Sequence, residues 1–411
     1  MSSLGLSTDS DLRPLGIGAF QGDSSLENQS ASVPSSSNPD PVTSSSPSSA
    51  VDSLEFLEFM SKNSIEIIPY DQFTLERGIK DGSSGDSKTP ALELKGANMQ
   101  VIKARWNDEI VALKVFQAIS TPGVGSTAYG MVERIQQYKN LMQDIRYEIQ
   151  VMNQSRRNPH RNILNLLGVS FEEGSAVSEN GAYIERYFRP ILVTPHAHET
   201  YPDLRHYLRY QNRPQPLPYD ECARLIGDIA DGIHGLHHVG VVHADLKPEN
   251  ILIFPFDGSP DRDIVAKVAD FGFSGLKVSD TGEPRGGTRV WNAPECLGGC
   301  TDEHLLRQSG EVTRDTYSFG LVMVHIMLDG GEPLPFGDHE ALDEMKLNDE
   351  AREEALGRLR KYYLAQRGNA EPHELERLEQ VINETILRDP SKRRKTLEKV
   401  RSELIGGFVL Q

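Results

Sequence analysis

Residues 241–254, VVHADLKPENILIF, constrain this chain more than any other stretch. A His, an Asp, a Lys and an Asn crowd between two apolar runs, where polar groups need either water or a ligand as partner. Upstream, Cys222, Leu225, Ile226, Ile229, Ile233 and Leu236 recur at helical spacing and predict a long amphipathic helix leading into the cluster. Downstream, a short apolar strand is expected over 251–254. Residues 268–272, VADFG, then set another carboxylate, Asp270, at a strand end beside a glycine that permits an unusual turn. Three residues suit three tasks. Asp245 can accept a proton from an attacking hydroxyl, while Asn250 and Asp270 offer oxygens to Mg²⁺, a hard cation that favours such ligands together with phosphate.

A second strand is predicted over residues 110–116, IVALKVF, with Val111, Leu113 and Val115 on one face and Ala112, Lys114 and Phe116 on the other. An ammonium among so many apolar neighbours is costly unless it meets an anion. The helical pattern that follows supplies one. Leu141, Ile145, Ile149 and Met152 form an apolar face, and Glu148 lies on that face rather than on the wet one. Two misplaced charges of opposite sign predict a Lys114–Glu148 ion pair that aims the ammonium at phosphate oxygens.

Composition narrows the setting. Residues 1–50 hold sixteen Ser, five Pro and one basic residue, Arg13. That leaves too little apolar surface to offset the entropy of ordering. Residues 1–53 are therefore read as a disordered tail and 54–90 as an N-terminal extension, in which Leu54, Phe56, Leu57 and Met60 suggest a short amphipathic helix. The net charge of −17, from 43 basic and 60 acidic residues among 411, opposes binding to nucleic-acid phosphates. Three cysteines are too few for a disulfide framework. No signal-peptide pattern opens the chain. The longest apolar run, residues 317–328, falls short of the ~20 residues of a membrane span. The expectation is a cytoplasmic or nuclear protein with no nucleic-acid partner and no membrane span.

Together these motifs resemble the eukaryotic-type protein kinases of the Ser/Thr class. The resemblance runs in order over residues 91–405: VALK at 111–114, Glu148, HRNIL at 160–164, HADLKPEN at 243–250, DFG at 270–272, APE at 293–295, DTYSFG at 315–320 and DPSKR at 389–393. It implies an α+β, bilobal fold, with a small β-rich lobe over 91–195 carrying one key helix and a larger, mainly helical lobe over 198–405. It also implies ATP, Mg²⁺ and a protein substrate bearing a Ser or Thr hydroxyl. Residue by residue, it implies that Lys114 contacts the α and β phosphates, that Asp245 orients the substrate hydroxyl, and that Lys247 neutralises charge on the γ-phosphoryl group. Lys247 followed by Pro248 and Glu249 is similar to the Ser/Thr class, as is Thr288, whose hydroxyl would help hold Asp245 and Lys247. Val101, Ala112 and Leu252 would sandwich the adenine ring, with Thr194 in the gatekeeper place and the backbone of Pro195 and Ala197 facing the base. Met152, His243 and Phe271 would stack as an inner spine, a role that ordinary core packing also explains. Glu295 and Arg393 would form a buried ion pair, and Asp315 would brace the catalytic loop from below.

The pattern is broken in places. If Val101 closes the phosphate-covering loop, only Gly96 of its three glycines survives, the others being Leu94 and Met99. An alternative puts that loop at 78–85, GIKDGSSG. The first placement is preferred because residues 101–106 run into VALK with hairpin spacing, although Gly96 also suits an ordinary β-turn. Larger side chains there hinder the approach of backbone N–H groups to phosphate. Ala244 stands where most of these kinases carry an Arg that pairs with an activation-loop phosphate. Phosphorylation within 274–288 is accordingly not expected to be the principal switch. Residues 117–140 are read as a tolerated loop in preference to a docking segment. The basic run 392–395 overlaps Arg393 and is read as a helix entrance rather than an import signal. Two functions stay in view. Lys114, Glu148, Asp245, Asn250 and Asp270 favour an active kinase, whereas the poor glycine loop favours a scaffold that binds partners or nucleotide without turnover.

Overall fold

The computed structural model describes residues 47–76, 92–95, 99–116, 128–157, 159–177, 184–210, 212, 216–259, 262–274, 287–308, 311–367 and 372–405. Residues 1–46, Gly96, the alternative loop at 78–85, residues 117–127, and 275–286 of the segment considered for phosphorylation lie outside these.

The first half of the chain is dominated by one antiparallel sheet. Strands β1 (Thr74–Leu75), β3 (Met99–Trp106), β4 (Glu109–Phe116), β6 (Ile184–Pro195) and β5 (Gly168–Val177) follow one another across it, and β2 (Leu92–Lys95) also pairs with β3. Asn107 and Asp108, at φ 50° and 64°, join β3 to β4 in a two-residue turn whose left-handed residues match the twist of the strands. Alternation on β4 buries Val111, Leu113 and Val115 in a core shared with Ile102, Ala104, Ile191 and Val193. Lys114 is thereby turned to the other face.

Helix α1 (Pro47–Lys62) begins inside the stretch read as tail, which ends at Ser53. Proline suits a first helical position, where its missing N–H costs nothing. Phe56 and Met60, four apart, are fully buried in the main core, and Ile65 is buried in the same cluster. The chain beyond α1 then pairs with β5 through Val169 N to Glu66 O (2.8 Å) and Ile68 N to Val169 O (2.9 Å). Residues 54–68 of the extension are thus a built-in layer of the fold.

Helix α2 (Ala128–Arg157) is also longer than expected. Residues 128–140, assigned to a loop, are its opening turns. No Gly or Pro occurs from 131 to 158, so nothing in that stretch interrupts a helix. Met142, Ile145, Ile149 and Met152 enter the core from α2, and Glu148, 2% exposed, goes in with them.

The second half is mainly helical. It contains α3 (Leu204–Arg209), α4 (Tyr219–His238), α5 (Glu303–Leu306), α6 (Thr313–Met327), α7 (His339–Leu347), α8 (Ala351–Arg367), α9 (Pro372–Thr385) and α10 (Val400–Ile405), with a two-stranded hairpin of β7 (Ile251–Ser259) and β8 (Arg262–Val268). The α4 stripe packs as its spacing predicts, and Gly240, at φ 77°, ends the helix in the left-handed turn that delivers the chain to residues 241–247. Every residue of α6 is buried, the pattern of a helix at the centre of a core. The architecture is α+β, a sheet-rich N-terminal part followed by a helical C-terminal part. Among the described residues no helix is long and apolar enough to cross a membrane.

Candidate active site

The loop between α4 and β7 is shaped from beneath by Asp315, on the first turn of α6. Its Oδ2 accepts the N–H of His243 (2.7 Å) and lies 2.9 Å from His237 Nε2, while Oδ1 accepts the N–H of Ala244 (2.9 Å). Burial would raise the Asp315 carboxyl, yet the hydrogen bond from His237, the charges of His237 and His243, and the Ala244 N–H together hold it below the ordinary Asp value. Ala244 itself is left-handed, at φ 68°, and its carbonyl accepts from Arg314 Nη2 at 3.1 Å. A non-glycine residue in that conformation is strained, and these contacts hold it there.

Asp245 is the point on which the loop converges. Its Oδ1 accepts the N–H (2.7 Å) and Oγ1–H (2.8 Å) of Thr288, and its Oδ2 accepts from Lys247 Nζ (2.7 Å) and Asn250 Nδ2 (3.1 Å). Lys247 also donates to Thr288 Oγ1 at 2.8 Å. Asn250 Nδ2 further donates to the Asp245 carbonyl at 2.8 Å, which leaves its Oδ1 as an acceptor. Gly287, just before Thr288, sits at φ 93°, and a Cβ there would come within 2.7 Å of the Ala244 carbonyl. Only glycine permits this close crossing.

A second cluster joins both halves of the chain. Lys114 Nζ donates to Glu148 Oε1 at 2.7 Å and to Asp270 Oδ1 at 2.8 Å. Burial opposes the Lys114 charge, but Asp270 and Glu148 outweigh it and raise the ammonium above its usual value. Burial raises the Glu148 carboxyl against the pull of Lys114, whereas at Asp270 the pull of Lys114 prevails over burial and the carboxyl is lowered. One cation serves two carboxylates, so the ammonium is the group every contact favours. The two clusters are tied by Ala269 N to Asn250 O (2.9 Å) and by His243 Nε2 with the Ala269 carbonyl (3.0 Å). Phe271, fully buried, meets the His243 ring edge-on at 5.6 Å, and Met152 belongs to the same core.

The residues expected around a base share a strand face. Val101 lies directly opposite Lys114, and Ala112 opposite Thr194, so all four point to one side of the sheet. Pro195 ends β6, and the chain after Ala197 is fixed to β7 beside Leu252 by His198 N to Ile253 O at 2.7 Å. Elsewhere, Glu295 and Arg393 form a two-pronged pair, Nη1 to Oε1 at 2.5 Å and Nη2 to Oε2 at 2.7 Å, with both side chains wholly buried. His237, Arg314 and the contribution of α1 were missed from sequence. His237 carries one local signal, its place on the last turn of α4, whereas Arg314 gives none.

Among the described residues, no group of three or more His, Cys, Asp and Glu side chains could hold a metal ion. The available oxygens are those of Asp270 and Asn250. Such a partial set fits Mg²⁺, which is commonly held by one or two protein ligands together with phosphates and water.

Residues 95–405 match the protein kinase domain family. The chain is 29% identical over 304 residues to the probable serine/threonine-protein kinase roco7 of Dictyostelium discoideum, covering 72% of this chain and 9% of that protein. It is 26% identical over 245 residues to the protein kinase gsk3 of Schizosaccharomyces pombe, covering 57% and 56% respectively. It is 31% identical over 195 residues to the receptor-interacting serine/threonine-protein kinase 1 of Homo sapiens, covering 43% and 23%. The matches thus span less than two thirds of each relative's length.

Proposed function

The chain belongs to the protein kinase family, and on that premise we propose that it is an active enzyme transferring the γ-phosphoryl group of ATP to Ser or Thr hydroxyls of protein substrates. The observation that carries this reading is the convergence of Thr288, Lys247 and Asn250 on Asp245, beside a Lys114 held by Glu148 and Asp270. Asp245 orients the acceptor hydroxyl and takes up its proton as the bond to phosphorus forms. Lys247 offsets charge on the transferring group. Lys114 binds phosphate oxygens, and Glu148 keeps its ammonium from swinging away. Mg²⁺, when bound through Asp270 and Asn250, would neutralise charge building on the phosphates. Val101, Ala112, Leu252 and Thr194, with the backbone of Pro195 and Ala197, form the adenine site. The functional unit takes in the extension from α1 onward, since Phe56 and Met60 share its core.

Positioning and charge neutralisation do most of the work in this class of reaction, and that is what these side chains are arranged to do. A scaffold that binds nucleotide without turnover is the second reading, favoured by Leu94 and Met99 at positions where the glycine pattern has glycine. Transfer of γ-phosphate to Ser/Thr peptides in the presence of Mg²⁺ separates the two. Asp245→Asn is expected to lower the rate about 10²–10⁴-fold. Equal incorporation by parent and variant would overturn the enzymatic reading.

A further inference from the structure

The segment that meets Asp245 is fastened from a part of the chain that none of the sequence motifs includes. Lys346 Nζ, on α7, donates to the main-chain carbonyls of Arg289 (3.1 Å), Val290 (3.0 Å) and Asn292 (2.8 Å). One turn earlier on the same helix, Asp343 accepts from Arg289 Nε at 3.1 Å through each of its two oxygens, and from Nη2 at 2.7 Å. Lys346 is 1% exposed, and burial pushes its ammonium down to about 7 against the opposing pull of Asp343. An apolar side chain of the same length would fill that space without the desolvation cost. What the amine supplies in return is a single nitrogen on which three peptide carbonyls converge.

Those carbonyls belong to the residues that directly follow Thr288, the side chain bonded to Asp245. Trp291 anchors the same stretch, its ring edge-on to His325 and to Phe336 at 5.5 Å each. Arg289 is exposed and Val290 only half-buried. Arg289 and Val290 therefore stand at the surface over a buried Trp291 and Asn292, directly after the residue bonded to Asp245, where a peptide delivering a hydroxyl to Asp245 would lay its neighbouring residues.

We propose that Lys346 and Asp343 are positioning residues for the protein substrate, holding residues 289–292 in the shape against which the residues flanking the acceptor hydroxyl dock. This rests on the kinase reading above. Lys346 fixes the backbone of that stretch, and Asp343 fixes the direction of its exposed cation, Arg289. Neither touches the nucleotide site built on Lys114, so the two act on substrate affinity rather than on ATP.

The test uses the full chain with Lys346→Met and Asp343→Asn, and measures KM for a Ser/Thr peptide and for ATP separately. It also follows Trp291 emission in a Trp106→Phe background, which leaves one tryptophan. Lys346→Met is expected to raise the peptide KM about ten-fold or more through loss of the donor shared by three carbonyls, with the ATP KM unchanged and Trp291 emission shifted to the red. Asp343→Asn, which leaves the Lys346 side chain and its three carbonyl acceptors in the sequence, is expected to raise the peptide KM about three-fold and serves if the first variant does not fold. An unaltered peptide KM in folded variants would overturn the proposal while leaving the kinase reading intact, as would parallel losses in peptide and ATP affinity. A parent protein that transfers no phosphate and binds no peptide would overturn both.

Discussion

Asp315 is buried, and the backbone N–H groups of His243 and Ala244 end on its two oxygens, so one carboxylate sets the path of the loop that leads to Asp245. Its folded-state pKa is depressed. The stabilisation it supplies is therefore present above the unfolded Asp value of about 3.9 and is lost as pH falls through the lower folded value. Asp315→Asn is expected to cost about 2 kcal/mol at neutral pH, and the gap to the parent to close below about pH 4, as read from thermal melts across that range. The strained Ala244 marks the same dependence. A left-handed alanine persists because Asp315 and Arg314 hold its N–H and carbonyl. At this scale the sequence was informative. His243, Asp245, Asn250 and Asp270 stood out as polar groups among apolar runs, and a local mismatch of that kind needs no fold to be seen. Arg314 did not stand out, because nothing in its neighbours says that its guanidinium reaches a carbonyl seventy residues earlier.

Helices α1 and α2 show what is gained and lost at the level of elements. Arg146 of α2 lies 6.0 Å from the rings of both Phe56 and Phe59 on α1, and Asn153 of α2 donates to the Asn63 carbonyl at 3.0 Å just beyond α1. The helix that carries Glu148 is therefore backed by the N-terminal extension. Phe56→Ala is expected to destabilise the protein by about 3–5 kcal/mol, measured by urea unfolding, whereas Leu54→Ala, at a position 67% exposed, is expected to change stability little. Periodicity made α4 and the inner face of α2 readable, because apolar residues three and four apart can share a face only in a helix. It misplaced the starts of α1 and α2. The first turns of α1 carry few apolar residues and those of α2 include Gly130 close behind Pro122, Gly123 and Gly125, so whether such turns stay helical depends on the helix they prolong rather than on a stripe of their own.

Across the whole molecule, the Glu295–Arg393 pair joins the segment after Thr288 to the chain between α9 and α10, with Arg393 also donating to the carbonyls of Thr313 (3.1 Å) and Leu387 (2.6 Å). Arg393→Ala is expected to cost about 3–5 kcal/mol in chemical denaturation, since it strands a buried carboxylate, and double replacement by apolar residues to cost less. The α+β class, the order of strands and helices and the polar run at residues 243–250 could be read from the chain alone, because they are written at separations of two to four residues or in short runs whose residue types already conflict with burial. The union of Lys114 with Glu148 was inferable for a related reason, as two charges on apolar faces call for each other. By contrast, the seating of Phe56 and Met60, the contact of His237 with Asp315, and the gathering of three carbonyls by Lys346 became visible only in the folded chain. Each joins segments far apart in sequence, and such contacts follow from how layers pack and how distant loops cross, which no local period of residues encodes.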